Sequence, residues 1–308
     1  MRRQKPESCG KGGAVGREEK YAVAIRLNHM AEARSNPLEA GIARLYHYEK
    51  FKPEWLATTL REQKIHCSNP SNLNDPWDCR PWFDHRPMVE DPSKLEAMLD
   101  HFRNTAGSEL ANHPKRTKLE DLIRNSPREL RSFLAGFSES VQREICKRRI
   151  YCLTPDPCST LMWSHYAENH RGICLEFHLG NPLFLNALQV IYRSVYPVWV
   201  PQEMQAIADE AVLTKSKDWE YEREFRLVGS PNFVEGHPLK PDGDFLRLPP
   251  RALQSVIVGC ETDYEAVKRV VHDHAARLPV RRASRMPNHY RLEIVTPAPD
   301  LLGLPQDE

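Results

Sequence analysis

Long apolar runs are missing from this sequence, and so is a strong excess of either charge. Its 308 residues contain no apolar stretch of the ~18 residues that a membrane-spanning helix needs. The formal net charge is only +1, so no overall charge draws the chain toward nucleic acid or a membrane. Hydrophobic residues make up 40% and charged residues 28%, which is typical of a globular protein and excludes a disordered one.

Familiar catalytic and metal-binding motifs are also missing. The eight cysteines include no pair at the two-residue spacing of a zinc knuckle or a redox dithiol. There is no glycine loop that could cradle phosphate, no Gly-x-Ser-x-Gly elbow and no His-Glu-x-x-His motif. The N-terminus lacks the apolar core of a signal peptide. We therefore expect a cytoplasmic protein with reduced thiols and no bound metal.

The order of the apolar patterns predicts an α+β fold. Short or alternating apolar runs that are typical of strands fall at residues 44–48, 65–67, 149–153, 173–177, 190–196, 222–228, 255–259 and 289–295. Helical spacing extends over residues 92–147, which we interpret as a helical insertion in a mixed, mostly antiparallel sheet. We expect a single domain at 40–297, a flexible leader at 1–39 and a flexible tail at 298–308.

The densest group of functional side chains lies in residues 161–177. Trp163, His165 and Tyr166 stand there among other polar residues, and Gly172 leads into an apolar, strand-like run. A polar and aromatic segment that ends in glycine before a strand can hold side chains at a sheet edge. We predict that these three aromatic side chains bind a planar ligand, since exposed rings suit stacking.

A run of alternating charges at residues 219–228 is the second candidate. If this run is extended, Glu220, Glu222, Glu224 and Arg226 lie on one face of a strand. Stacked carboxylates raise each other's pKa unless a cation lies among them, and Arg226 is suitably placed. Either this is an exposed strand face with one ion pair, or Glu222 or Glu224 is an acid, a base or a ribose-binding carboxylate.

His47 and the loop at 68–79 complete the candidates. His47 lies on the strand face opposite Tyr46 and is either catalytic or structural. The loop is rich in Asn, Asp, Ser and Pro, which favour turns, so Asn74 and Asp75 are interpreted as structural.

Two basic segments support an alternative function. Residues 114–149 contain ten Lys or Arg against five Asp or Glu, and residues 277–291 contain five Arg and no acid. Such segments could make the chain a non-catalytic module that binds nucleic acid or protein. A third hypothesis is a metal-independent nuclease that uses His47, His165 and Glu222, although no spacing favours it.

Four motifs, taken in order, resemble the bacterial family called domain of unknown function 2971. They are residues 45–48, 71–78, 162–167 with Gly172, and 219–226, so the resemblance extends from about Arg44 to Cys260. The family has no settled activity, and the resemblance therefore implies a fold more than a function.

The order of a strand histidine, a tyrosine segment and a strand glutamate is also similar to the His-Tyr-Glu layout of ADP-ribosyltransferases. This resemblance implies that His47 grips the nicotinamide ribose of NAD and that Tyr166 stacks on nicotinamide. Glu222 or Glu224 would then stabilise an oxocarbenium-like transition state, with Arg226 and Tyr46 beside the substrate. The implied activity is ADP-ribosyl transfer or NAD hydrolysis in defence or stress, with nucleic acid or protein as a possible acceptor.

Overall fold

The computed structural model describes residues 35–105, 114–199 and 204–297. The expected tail and residues 1–34 of the expected leader lie outside these ranges. The strands are β1 (Arg44–Glu49), β2 (Lys64–His66), β3 (Trp82–Phe83), β4 (Arg149–Leu153), β5 (Ile173–His178), β6 (Leu188–Gln189), β7 (Ile191–Arg193), β8 (Val198–Trp199), β9 (Thr214–Ser216), β10 (Phe225–Gly229), β11 (Phe245–Arg247), β12 (Leu253–Val258), β13 (Val280–Arg285) and β14 (Leu292–Val295).

Helices lie between and beside these strands. They are α1 (Pro53–Glu62), α2 (Arg86–Glu90), α3 (Pro92–Thr105), α4 (Pro114–Asn125), α5 (Pro127–Cys146), α6 (Thr160–Tyr166), α7 (Pro182–Leu185), α8 (Met204–Ala211) and α9 (Tyr264–Ala275). Short 3-10 helices lie at Pro70–Asn72 and Lys217–Glu222. Within the described ranges, no helix combines the length and apolar character that crossing a membrane requires.

The strands form a mixed, mostly antiparallel arrangement, which confirms the predicted α+β class. A five-stranded sheet has the order β1-β5-β12-β13-β14, and only its β12–β13 pair is parallel. A three-stranded antiparallel sheet has the order β4-β10-β6. A backbone bridge between Tyr46 and Thr154 connects β1 to the end of β4, so these two sheets meet beside the first strand.

The helical segment expected at 92–147 contains α3, α4 and α5. Ser126 caps α5 by accepting a hydrogen bond from the Glu129 backbone N–H, and Pro127 occupies the first turn, where a proline costs no hydrogen bond. Apolar residues at helical spacing form a separate small core: Met88, Leu95, Met98, Leu99, Ile123, Leu130 and Leu134. Leu119 and Leu122, two apolar residues of α4, are exposed instead.

Helix α6 carries the aromatic segment onto the main sheet. The Ser159 side chain caps it by accepting from the Met162 backbone N–H, and Trp163 packs in the core with Tyr48 and Cys174. Beyond the helix, a Cβ on Gly172 would lie 2.3 Å from the carbonyl oxygen of Glu49. Only glycine fits so close to β1, and this contact sets where α6 lies against the first strand.

Two segments differ from their predicted structures. Residues 219–223 are not extended, because the second 3-10 helix runs to Glu222 and Arg223 takes a left-handed backbone with φ of 48°. Glu220 is therefore exposed instead of sharing a face with Glu222 and Glu224. The arginine-rich segment contains β13, whose parallel pairing with β12 was not apparent from its charge pattern.

Candidate functional site

Five charged side chains meet in the interior, where β9 and β10 approach the loop before β3. We call Asp78, Lys215, Glu222, Glu224 and Arg226 the carboxylate cluster; each is less than 10% exposed. Charged groups are almost never this deeply buried unless they are paired. The cluster holds three acids and two bases, so one carboxylate exceeds the available cations.

The inner part of the cluster is the group formed by Asp78, Glu224 and Arg226. Arg226 donates to both oxygens of Asp78 at 2.9 and 2.6 Å and to both oxygens of Glu224 at 2.8 and 2.9 Å. It also donates to the backbone carbonyl of Val212 at 2.8 Å. All five N–H donors of the guanidinium are thereby used, as a buried arginine requires.

The outer part of the cluster is the pair Lys215 and Glu222, which Tyr166 contacts from outside the cluster. Lys215 Nζ lies 2.6 Å from Glu222 Oε2 and 3.4 Å from Glu224 Oε2. The Tyr166 hydroxyl donates to Glu222 Oε1 at 2.5 Å and accepts from the Asn74 amide at 3.3 Å. Asn74 is exposed, so this part of the cluster extends to the protein surface.

The two glutamates have pKa values shifted in opposite directions. Burial raises the pKa of Glu222, repulsion from Glu224 adds to the effect, and Lys215 and Tyr166 offset only part of it. Burial also acts on Glu224, but Arg226 and Lys215 outweigh it and lower the pKa of Glu224 to about 2. Glu224 is therefore the ionised partner of Arg226, whereas the pKa of Glu222 is shifted upward, away from the range of an ordinary carboxylate.

A cavity of about 230 Å³ adjoins the outer part of the cluster. Lys215 belongs to both, since it lines this cavity and also binds Glu222. The parallel pairing of β7 with β9 sets Arg193 opposite Ser216 on one wall, and Trp77 and Arg80 stand on another. We call this space the Lys215 cavity.

His47 is not brought to the carboxylate cluster. Its ring stacks on Tyr151 with centroids 4.1 Å apart, and its Nδ1 donates to the Cys152 carbonyl at 2.7 Å. In the pairing of β4 with β10, Tyr151 lies opposite Leu227, and Cys152 lies opposite Arg226, the partner of Glu224. Successive strand residues point to opposite faces, so β4 lies between His47 and Glu224. Burial lowers the pKa of His47 to about 4, which keeps the ring neutral.

The other predicted binding residues divide between core and surface. Trp163 is fully buried, with its indole N–H bonded to the Pro157 carbonyl, and Tyr46 is also buried. His165 is exposed, and its Nδ1 shares a hydrogen bond of 2.9 Å with the Tyr221 hydroxyl. Of the predicted aromatic residues, Tyr166 alone contacts a carboxylate of the cluster.

The loop at 68–79 does more than shape the backbone. Asp75 is buried and accepts from the Trp77 backbone N–H at 2.9 Å, which is a turn of the predicted kind. Its Oδ2 has no hydrogen-bond partner in the described part of the chain. Asn74, predicted as structural, contacts Tyr166 directly.

Lys215 and Asp78 belong to the cluster but were not singled out from the sequence. Lys215 follows the apolar run Val212–Leu213, and a lysine within a buried strand is a recognisable signal that a partner lies nearby. Asp78 ends a motif that is otherwise turn-forming, and nothing in its local pattern separates it from Asp75.

Several arginines of the basic segments form ion pairs with neighbouring acids. Arg281 pairs with Glu176 at 3.3 Å, Arg285 pairs with Glu261, and Arg124 forms two hydrogen bonds with Glu96 at 2.7 and 3.0 Å. Their charge is therefore largely compensated locally.

Residues 162–227 match the model of a family described as a protein of unknown function, DUF2971. The match includes every residue of the carboxylate cluster except Asp78, and it confirms the predicted family resemblance over this stretch. No match supports the likeness to ADP-ribosyltransferases. No curated protein and no solved structure is similar enough to the chain to match.

Proposed function

We propose that this chain is an NAD-cleaving enzyme, an ADP-ribosyltransferase or NAD glycohydrolase, in which Glu222 is the catalytic carboxylate. The observation that carries the proposal is the contact of Glu222 with Tyr166 and with Lys215, and Lys215 also lines the Lys215 cavity. Perturbed carboxylates that border a cavity are typical of functional sites.

The chemistry requires a negative charge beside a developing positive one. When the bond between nicotinamide and ribose breaks, its electron pair leaves with the nicotinamide nitrogen and the ribose becomes oxocarbenium-like. A carboxylate fixed in a region with little water stabilises that charge, as in glycoside hydrolysis. Water or an acceptor group then attacks the ribose, and its proton must be removed, which a carboxylate with a raised pKa can do.

The proposal gives the residues around Glu222 different roles. Lys215 and Tyr166 hold the Glu222 carboxylate in one orientation, so they are positioning residues. Both carboxylate oxygens of Glu224 accept hydrogen bonds from Arg226, so Glu224 is a structural partner of Arg226 in this proposal. The proposal does not use His47, because β4 separates it from Glu224.

Nicotinamide release from NAD by the purified full chain tests this proposal. Glu222→Gln is expected to lower the rate about 100-fold or more, since it removes the charge that stabilises the transition state. Glu220→Gln is the matched control, because Glu220 lies on the same 3-10 helix and is exposed. Equal rates for the two variants, or no release by the unmodified chain, would contradict the proposal.

A further inference from the structure

His165 is exposed, yet its ring is held in one orientation. Its Nδ1 shares a hydrogen bond of 2.9 Å with the Tyr221 hydroxyl. The rings of Tyr166, Trp219 and Tyr221 surround it, with centroids 6.0–6.2 Å from its own and planes inclined at 71–78°. Edge-to-face contacts of this kind are favourable, so together with the hydrogen bond they fix a ring that would otherwise rotate in water.

Two of these ring contacts connect His165 to the outer part of the carboxylate cluster. Tyr166 follows His165 in the chain, and its hydroxyl donates to Glu222. The ring of Trp219 lies 4.8 Å from Lys215 Nζ, and the same ammonium group binds Glu222. His165 therefore lies on the exposed side of the residues that hold the Glu222 carboxylate.

One nitrogen of His165 is left for a ligand. Nδ1 is engaged by Tyr221, whereas Nε2 has no hydrogen-bond partner among the residues that the structure describes. When the ring proton is on Nδ1 and is donated to Tyr221, Nε2 is an acceptor with a free lone pair. The side chain is exposed, so a bound molecule can approach this nitrogen.

The proposed reaction needs a group that removes a proton. Water that attacks the ribose of NAD loses one proton while the bond to nicotinamide breaks. Both oxygens of Glu222 already accept a hydrogen bond, one from Tyr166 and one from Lys215. A second group can therefore take the proton while Glu222 retains the charge that stabilises the transition state, and histidine is the side chain that most often does so.

We propose that His165 is the general base of this reaction and that Tyr221 is the positioning residue that orients it. Nε2 accepts a proton from the attacking water, whose oxygen bonds to the anomeric carbon of the ribose. The bond from this carbon to nicotinamide breaks, its electron pair leaves with nicotinamide, and His165 then releases the proton to solvent. The inference rests on the proposed function and adds a catalytic residue to the same site.

Nicotinamide release from NAD by the purified full chain, followed between about pH 5 and pH 9, tests the inference. His165→Gln is expected to lower kcat about 100-fold and to change the Kd of NAD less than about threefold, because a base acts in the transition state. The rise of the rate with pH that a general base produces should disappear in this variant. His274→Gln is the matched control, since His274 is an exposed histidine of α9.

Two further variants separate a catalytic role from a structural one. Tyr221→Phe should lower kcat about tenfold, because the His165 ring loses the hydrogen bond that orients it. His165→Ala should regain activity when imidazole is added, since the position is exposed and a free base can enter it. A side chain that served packing alone would not be replaced by imidazole.

A His165→Gln rate within about twofold of the His274→Gln rate would overturn the inference. A slow His165→Gln variant that keeps the pH dependence of the unmodified chain would also overturn it. Unchanged thermal midpoints check that the variants fold. No release by the unmodified chain would contradict the proposed function and this inference together, whereas release that survives His165→Gln would overturn this inference alone.

Discussion

The inner and outer parts of the carboxylate cluster are built from adjacent residues but are compensated differently. In the inner part, Arg226 satisfies both oxygens of Asp78 and of Glu224 and uses all of its own donors. In the outer part, Lys215 contacts both Glu222 and Glu224, and the same lysine lines the Lys215 cavity. The complete use of the Arg226 donors favours a structural role for the inner part, whereas Glu222, which is held by a tyrosine and by a lysine that lines a cavity, is a carboxylate whose charge can serve chemistry.

Replacing Arg226 should have the largest effect on stability. Arg226→Met leaves Asp78 and Glu224 buried with Lys215 as their remaining cation, so we expect a loss of about 3–5 kcal/mol in the free energy of unfolding. Urea denaturation measures this value, with Arg131→Met on the exposed face of α5 as a control within about 0.5 kcal/mol. A loss as small as that of the control would mean that the inner part does not hold the fold together.

The two glutamates should respond oppositely to neutralisation at pH 7. The pKa of Glu224 is lowered from 4.5 to about 2, so Glu224→Gln should cost up to about 3 kcal/mol of unfolding free energy. The pKa of Glu222 is raised, so its charged form does not stabilise the fold and Glu222→Gln should be neutral or stabilising. Chemical denaturation of both variants compares them, and the same sign for both would refute the division into two parts.

Low pH should remove the stability that the ionised Glu224 side chain contributes to the fold. A carboxylate with a lowered pKa contributes stability above its unfolded value of 4.5, and that contribution is lost as the pH falls toward about 2. The difference in thermal midpoint between the unmodified chain and Glu224→Gln should therefore shrink between pH 6 and pH 3. A difference that stays constant with pH would place its origin in packing instead of charge.

Glu49 offers the smallest effect, and among the residues that the structure describes it has no arginine or lysine partner. Burial raises the pKa of Glu49 to about 7, although 25% of its side chain is exposed. Its stabilising contribution is present below its unfolded value of 4.5 and is lost as the pH rises through about 7. Glu49→Gln should therefore raise stability by about 1 kcal/mol at pH 8 and leave it unchanged at pH 4, as denaturation at both pH values would measure.

Local sequence patterns predicted the strands well where apolar residues set the pattern. The strand predicted at 149–153 coincides with β4, and the predicted run at 173–177 forms most of β5. The charged run around Glu222 was predicted to be an extended strand. That prediction was wrong up to Arg223, because the same alternation of charges is equally compatible with a turn of 3-10 helix. Charge alternation carries less information than apolar alternation, because burial of apolar surface is what selects a face.

The sequence by itself determined the α+β class, the helical segment and the motifs that resemble a known family. It also identified Tyr166, Glu222, Glu224 and Arg226 as residues of interest. Only the tertiary structure decided that Asp78 and Lys215 join them, that Glu224 accepts two hydrogen bonds from Arg226, and that His47 lies across β4. Ion pairs such as Asp78–Arg226 connect residues far apart in the chain, and local periodicity contains no record of such contacts.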